Sequence, residues 1–325
     1  METLVEVSII VPIKDENDPY VRKCLESVEA LDFPNSFEVF VIKGGNRAQA
    51  RNLGIELATG EIIAFIDSDC VATKNWLSLI VAGLKQNKVL GGIGGKNLSI
   101  ADGMALREAI DSVFCSYLGS LGSTSLCGPS RKRFVSALAC INSAFRHSIL
   151  KDIGGFDEEF ELCEDTNLSY KVRSAGYKLL FDPEICVWHY RRDTIKGFAR
   201  QFFSYGVGRM RSILTNREYA RTKVVIPFLG ALVFPLVLWL CPLFAIIVLA
   251  IYLTAILIEG FRAATKAKRS LFLLLIPILF IIEHSGYFVG MVYAAMKGKW
   301  KRKNGSCEVL HHITFATNSQ LSSIA

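Results

Sequence analysis

Between Val224 and Ile258 the chain has no charged residue over 35 positions. That is too long for one ordinary membrane span and just long enough for two short ones. The nine cysteines, at 24, 70, 115, 127, 140, 163, 186, 241 and 307, form no Cys-x-x-Cys pair and are odd in number. A zinc site or a disulfide framework is therefore not expected, and a reducing compartment fits. No RNA- or DNA-binding motif and no internal repeat is present, so the net charge of +7 does not point to nucleic acid. The basic residues concentrate after Arg191 and flank the apolar segments, which suits anionic lipid headgroups. The N-terminus, Met-Glu-Thr-Leu-Val-Glu-Val, is acidic and runs straight into a strand pattern. It does not read as a secretory signal, so the soluble part is expected in the cytosol.

What is present divides into a soluble part and an apolar part. The 325 residues suffice for one large domain or two ordinary ones. A hydrophobic content of 51% and a mean hydropathy of +0.34 are high for a soluble protein, and the excess lies at the C-terminal end. Residues 7–13, 37–43 and 61–67 read as buried strands, and 89–94 as a glycine-rich one. Helices are predicted from Asp18-Pro19 towards Ala30, from about Asn46 to Gly60, and over 74–86. In the second helix Ala50, Leu53, Gly54 and Leu57 fall on one face. This alternation predicts an α/β domain with a mostly parallel sheet and helices on both sides. An amphipathic stretch, Met104 to Leu118, precedes a Gly/Ser-rich loop, Gly119 to Ser130, and the basic cluster Arg131-Lys132-Arg133. A loop of that composition is expected to order over a ligand.

The third strand delivers Asp67-Ser68-Asp69 to a strand end. In an open α/β sheet that edge is where ligands bind. Two adjacent acids repel unless a cation lies between them, and hard cations take oxygen ligands. The pair reads as a metal–diphosphate site, or else as a polar turn with Asp69 capping the helix near Lys74. A second acidic pair, Glu164-Asp165, opens a helix over 164–175. Asp165, Leu168, Val172 and Ala175 share one face, so Asp165 is expected to point inward and Glu164 to lie off that stripe. Asp165 then reads as a general base, or as a carboxylate complementing the helix dipole. His189 ends a strand-like run, Ile185-Cys-Val-Trp-His, as a satisfied polar residue or a metal ligand. Arg191, Arg192, Lys196, Arg200, Arg209 and Arg211 alternate with aromatic residues. They read as an amphipathic helix at the headgroups over about 191–215, or as cations for substrate phosphates.

In order and spacing, these elements resemble a family 2 glycosyltransferase of the GT-A fold with a C-terminal membrane region. The resemblance covers about residues 6–215. It rests on Val-Ser-Ile-Ile-Val-Pro12, Ala50-Arg-Asn-Leu-Gly54, Ala58 to Asp69, Gly154-Gly-Phe-Asp-Glu158, Glu164-Asp165 with Leu168, and Asp182 to His189. It implies inverting transfer of a sugar from a nucleotide-diphosphate sugar to a lipid or lipid-linked acceptor. It also implies a divalent metal, Mg²⁺ or Mn²⁺, ligated by Asp69 and His189, with Asp165 as the base. Pro12, Glu16, Arg47 and Asp67 would bind the donor. Glu164, Arg191, Arg192 and Arg209 are assigned to acceptor or phosphate contact. One departure concerns the nucleotide. Where the family carries an acidic residue after the second strand, this chain reads Val41-Ile-Lys-Gly-Gly-Asn46. The alternatives are a processive polysaccharide synthase, whose Gln-x-x-Arg-Trp motif is not reproduced, and a non-catalytic nucleotide-sugar-binding scaffold.

The charge pattern also bears on topology. Arg262 to Arg269 holds four basic residues and Lys297 to Lys303 holds five. Both loops are expected on the cytosolic side. A transmembrane hairpin over 224–258, turning at Cys241-Pro242, satisfies the first loop. Residues 271–296, interrupted by Glu283-His284, are then a re-entrant or interfacial segment or a third span. Residues 297–325 are expected as a basic, polar cytosolic tail, with the protein integral to the cell membrane.

Overall fold

The computed structural model describes residues 5–100, 102–120, 131–160, 162–220, 222–298 and 305–315. They form two compact units. The first comprises Met1–Ile100, Thr124–Tyr190 and Lys301–Ala325; the second comprises Ala101–Ser123 and Arg191–Trp300. The segment 191–215, expected at the end of the catalytic domain, thus belongs with the apolar helices. The Gly/Ser-rich loop lies outside the described residues over 121–130.

The first unit begins β1 (Val7–Ile13), α1 (Pro19–Glu29), β2 (Phe37–Gly44), α2 (Arg47–Leu57), β3 (Ile62–Ile66). It continues β4 (Cys70–Ala72), α3 (Trp76–Gln86) and β5 (Leu90–Ser99). After α4 (Ala105–Cys115) and α5 (Tyr117–Ser120) of the second unit come β6 (Arg133–Val135), β7 (Asn142–Arg146), α6 (His147–Asp152), α7 (Glu164–Ser174) and β8 (Lys178–His189). Odd-numbered residues of β1, such as Ile9 and Val11, pack towards Val21 and Cys24 of α1 and Trp76 and Ile80 of α3. Ile10 packs the other way, towards Ala50 and Ile55 of α2. Strands buried on both faces read as the unbroken apolar runs seen in the sequence.

Sheet order is β4-β8-β5-β7-β3-β1-β2-β9, where β9 is Cys307–Phe315, with β6 against β8. The expected parallel pairing holds for β2, β1 and β3 and for β5 with β8. The remaining pairs are antiparallel, so the sheet is mixed. The face assigned to α2 shifts as well. Leu57 is exposed, whereas Arg51 and Ile55 are buried beside Ala50 and Gly54. The reason is that Arg51 has partners inside, described below.

The last strand, β9 (Cys307–Phe315), replaces part of the expected polar tail. It lies antiparallel to β2, with Phe40 opposite His312. The His312 ring stacks on Phe40 at 4.3 Å between centroids, and His312 Nε2 lies 2.8 Å from Glu38 Oε2. Burial works against the Glu38 carboxylate. Hydrogen bonds from Ser8, Thr59 and His312 outweigh it and hold the group below the usual carboxylate range.

The second unit contains α8 (Ile195–Thr215), a 3₁₀ turn (Arg217–Tyr219), α9 (Thr222–Leu240), α10 (Pro242–Ala267) and α11 (Phe272–Lys297). The break between α9 and α10 falls at Cys241-Pro242, as the sequence predicts. Among the described residues three helices, within 223–240, 242–267 and 272–297, are long and apolar enough to cross a membrane. Helices α8 and α11 run parallel in close contact. A side chain at Gly206 would collide with Tyr287 of α11, and one at Gly290 with Phe203 of α8. Seven described cysteines are free and Cys115 is disulfide-bonded, a single bridge where no disulfide framework is expected.

Candidate functional site

The site forms at the carboxyl ends of β1, β2 and β3. After β3 the chain turns tightly, the Cys70 amide donating to the Asp67 carbonyl at 3.0 Å. This turn starts β4, whose Cys70 pairs with His189 at the end of β8. The Tyr190 amide donates to the Asp69 carbonyl at 2.9 Å. Two strands far apart in sequence therefore bring the Asp69 Oδ2 and His189 Nε2 atoms to 3.3 Å. Asp69 does not cap the following helix, which starts at Trp76 after Asn75.

One oxygen of Asp69, one ring nitrogen of His189 and the Cys70 sulfur lie within 4.8 Å of one another. A carboxylate with an imidazole is a donor set that would fit a divalent ion. Cys70 was not among the residues expected here. It is buried, with Sγ 3.8 Å from Asp69 Oδ1.

Arg51 is the residue that sequence reasoning missed. Its Nη2 donates to Asp67 Oδ1 at 2.8 Å and its Nη1 to Glu164 Oε1 at 2.7 Å. The side chain is 2% exposed, and the guanidinium lies 5.9 Å from the Phe65 ring centroid and 5.6 Å from that of Phe156. Burial alone would lower its pKa; neighbouring groups, Asp67 and Glu164 among them, raise it, so Arg51 stays charged. The charge of Asp67 is thereby largely taken up by Arg51, which leaves Asp69 as the acid directed at His189. The next residue extends the same device. Asn52 donates to the Phe156 carbonyl at 2.9 Å and accepts from the Phe156 amide at 2.8 Å, fixing the Gly154–Glu158 loop.

The two acids at the start of α7 exchange the places expected for them. Glu164 is buried, and Glu164, Leu168 and Val172 form the inward stripe. Arg51 supplies the countercharge that allows it. Asp165 is half-buried, its Oδ1 accepting from the Thr166 amide at 2.6 Å. Cys163, just before them, holds φ at +62°, a left-handed conformation unusual outside glycine and asparagine. Such strain persists where the surroundings over-determine it, and here it turns the first residues of α7 onto Arg51.

Pro12 is the one partly exposed residue of β1, Glu16 follows that strand, and Arg47 is the first residue of α2, whose amino end is closed by an Asn46–Gln49 capping box. Pro12, Glu16, Arg47, Asp67, Asp69, Glu164, Asp165 and His189 therefore all lie in the first unit. Arg191, Arg192 and Arg209 belong to the second. There Arg191 is buried against Asp111, with Nη2 3.2 Å from Oδ1, and its guanidinium lies 5.2 Å from the Phe114 ring centroid. This engagement ties the start of α8 to α4. Arg192 is exposed.

The family model described as glycosyl transferase family group 2 matches residues 62–282. Glycosyltransferase AglE of Haloferax volcanii is 25% identical over 267 residues, covering 73% of this chain and 81% of that protein. A Methanococcus voltae enzyme named dolichyl N-acetyl-alpha-D-glucosaminyl phosphate 3-beta-D-2,3-diacetamido-2,3-dideoxy-beta-D-glucuronosyltransferase is 24% identical, over 88% of this chain and 97% of that one. Among solved structures, the mannosyltransferase PcManGT of Pyrobaculum calidifontis, in complex with GDP-Man and Mn²⁺, superposes with a TM-score of 0.54. It covers 90% of this chain and 88% of that one at 16% identity, a likeness of fold.

Proposed function

The chain belongs to glycosyl transferase family group 2, and from that premise we propose that it transfers a sugar, with inversion, from a nucleotide-diphosphate sugar to a lipid-linked acceptor. The observation that carries the reading is the joined pair of acidic sites: Asp69 with His189, and Glu164-Asp165, linked through Arg51 and Asp67. The name of the Methanococcus voltae relative, with its dolichyl-linked sugar phosphate, supports the acceptor class.

In this mechanism the acceptor hydroxyl approaches Asp165, which takes its proton as the oxygen attacks the anomeric carbon. Asp69 and His189 are the residues that would hold a divalent ion, whose contribution is to offset charge on the leaving diphosphate. Arg47, at the amino end of α2, adds a cation where the helix dipole already favours phosphate. Arg51 keeps Asp67 and the start of α7 fixed, so the base and the donor end keep one separation.

The test is a transfer assay on the full chain with a panel of nucleotide sugars, Mn²⁺ or Mg²⁺, and polyprenyl-linked saccharides. Asp69→Asn is expected to weaken metal-dependent donor binding about 10- to 100-fold. Donor binding without transfer to any acceptor would favour the scaffold alternative. Nucleotide affinity unchanged in Asp69→Asn would remove Asp69 from the site.

We infer the membrane arrangement from the position of β9. The chain leaves the first unit before α8 and returns after α11 to pair with β2 in the same sheet. The number of complete crossings between these points is therefore even. The hairpin α9–α10 supplies two. Helix α11 runs beside α8, which carries Lys196, Arg200, Arg209 and Arg211, so it shares the interfacial depth of that basic helix. The basic loops before and after α11 then both face the cytosol. In sealed vesicles an impermeant maleimide should label Cys241 from the outer side, and Lys268→Cys and Cys307 only from the other. Labelling of the latter two from opposite sides would sink this topology.

A further inference from the structure

We propose that Lys43 and Glu16 read the base of the donor nucleotide and select guanine, an inference that rests on the glycosyltransferase reading above. The sheet order locates the nucleotide. Strand β1 lies between β2 and β3, all three parallel, so the chain changes direction across the sheet at β1. A crevice opens beyond the carboxyl ends of the strands at such a point. Asp69 and His189 mark its β3 end. The end of β2 lies two strand spacings away, roughly 10 Å, which a ribose diphosphate spans.

Among the charged groups at that end are Lys43, near the end of β2, and Glu16, after β1. Lys43 Nζ donates to Glu16 Oε1 at 3.2 Å. The two side chains are 32% and 51% exposed, so the pair is open to a ligand and adds little stability by itself. Beside them Gly44 and Gly45 are exposed and hold φ at +99° and +58°. A side chain at Gly44 would collide with the Ser306 carbonyl, and one at Gly45 with Cys307 and Gln49. Glycine is required at both positions by positive φ and by the close packing of residues 305–307 on one side of the β2 end, while the solvent side of Gly44 and Gly45 stays exposed next to Lys43.

An ammonium beside a carboxylate matches a ring edge that offers a carbonyl acceptor next to N–H donors. Guanine has that edge. Lys43 donates to O6, and the two oxygens of Glu16 accept from N1–H and the exocyclic amine. Uracil presents O4 and N3–H, but its O2 then meets the second carboxylate oxygen, lone pair against lone pair. Adenine and cytosine set an amino group against the ammonium and a ring acceptor against the carboxylate. Donors set against donors and acceptors against acceptors in this way disfavour the wrong base.

The full chain in detergent with Mn²⁺ is titrated with GDP, UDP, ADP and CDP by calorimetry. GDP is expected to bind at least about tenfold more tightly than the others. Glu16→Gln and Lys43→Gln should each weaken GDP about tenfold and change UDP by less than about twofold. Both residues are at the surface, so the variants keep the fold. UDP binding as tightly as GDP, or GDP affinity unchanged in both variants, overturns the base assignment while leaving the glycosyltransferase reading in place. Binding of none of the four nucleotides overturns that reading and this assignment with it.

Discussion

Arg51→Met is expected to give a protein that is less stable by about 3–5 kcal/mol and slower in transfer by about 100-fold. Arg51 is 2% exposed and satisfies two carboxylates at once. Removing the guanidinium leaves Glu164 buried with no countercharge and leaves Asp67 to repel Asp69. Protonation of Glu164, or its movement towards water, relieves this only by shifting the start of α7. Because Asp165 is the next residue, the shift reaches the base. Lysine cannot replace the fork, since one ammonium reaches one of the two acids. Thermal unfolding and kcat/KM on the full chain check both effects. The double variant Arg51→Met, Glu164→Gln separates them: stability should return in part, because the uncompensated charge is gone, while transfer stays low. Recovery of transfer along with stability would show that Arg51 serves the fold alone. A Tm unchanged in Arg51→Met would show that the buried bridge contributes nothing.

Much of the site was legible because strand ends and motif order survive in a single sequence. The run Ile62–Ile66 reads as a buried strand, and its acids had to emerge at an edge. His189 could be placed at a strand end, and β4 and β8 now put it beside Asp69. What could not be read was burial that depends on partners. Helical periodicity ranks positions by side-chain polarity, so it put Leu57 inside and Arg51 outside. The fold reverses both, since two carboxylates offset the guanidinium charge and two aromatic rings flank it indoors. The same blindness exchanged Glu164 and Asp165, because the stripe through Leu168 and Val172 admits either acid at its head. Strand β9 was missed for another reason. Its edge pairing with β2 spans more than two hundred residues of sequence, and no local pattern announces a contact of that range.

The altered order of the two acids gives the second large effect. Asp165→Asn should lower kcat by about 10²–10⁴-fold, the usual scale for a positioned general base. Its half-buried side chain accepts from the Thr166 amide and hydroxyl, and asparagine can keep an acceptor oxygen there. The fold should therefore hold, and nucleotide affinity should stay within about twofold, since the group acts on the acceptor. Glu164→Gln is expected to behave oppositely, losing stability first because it removes charge from the Arg51 bridge. The pair of variants thus tests the assignment in a way neither does alone. If Glu164→Gln stops transfer in a stable protein while Asp165→Asn keeps substantial turnover, the base is Glu164. Its contact with Arg51 would then have to open during each catalytic cycle to let the carboxylate reach the acceptor.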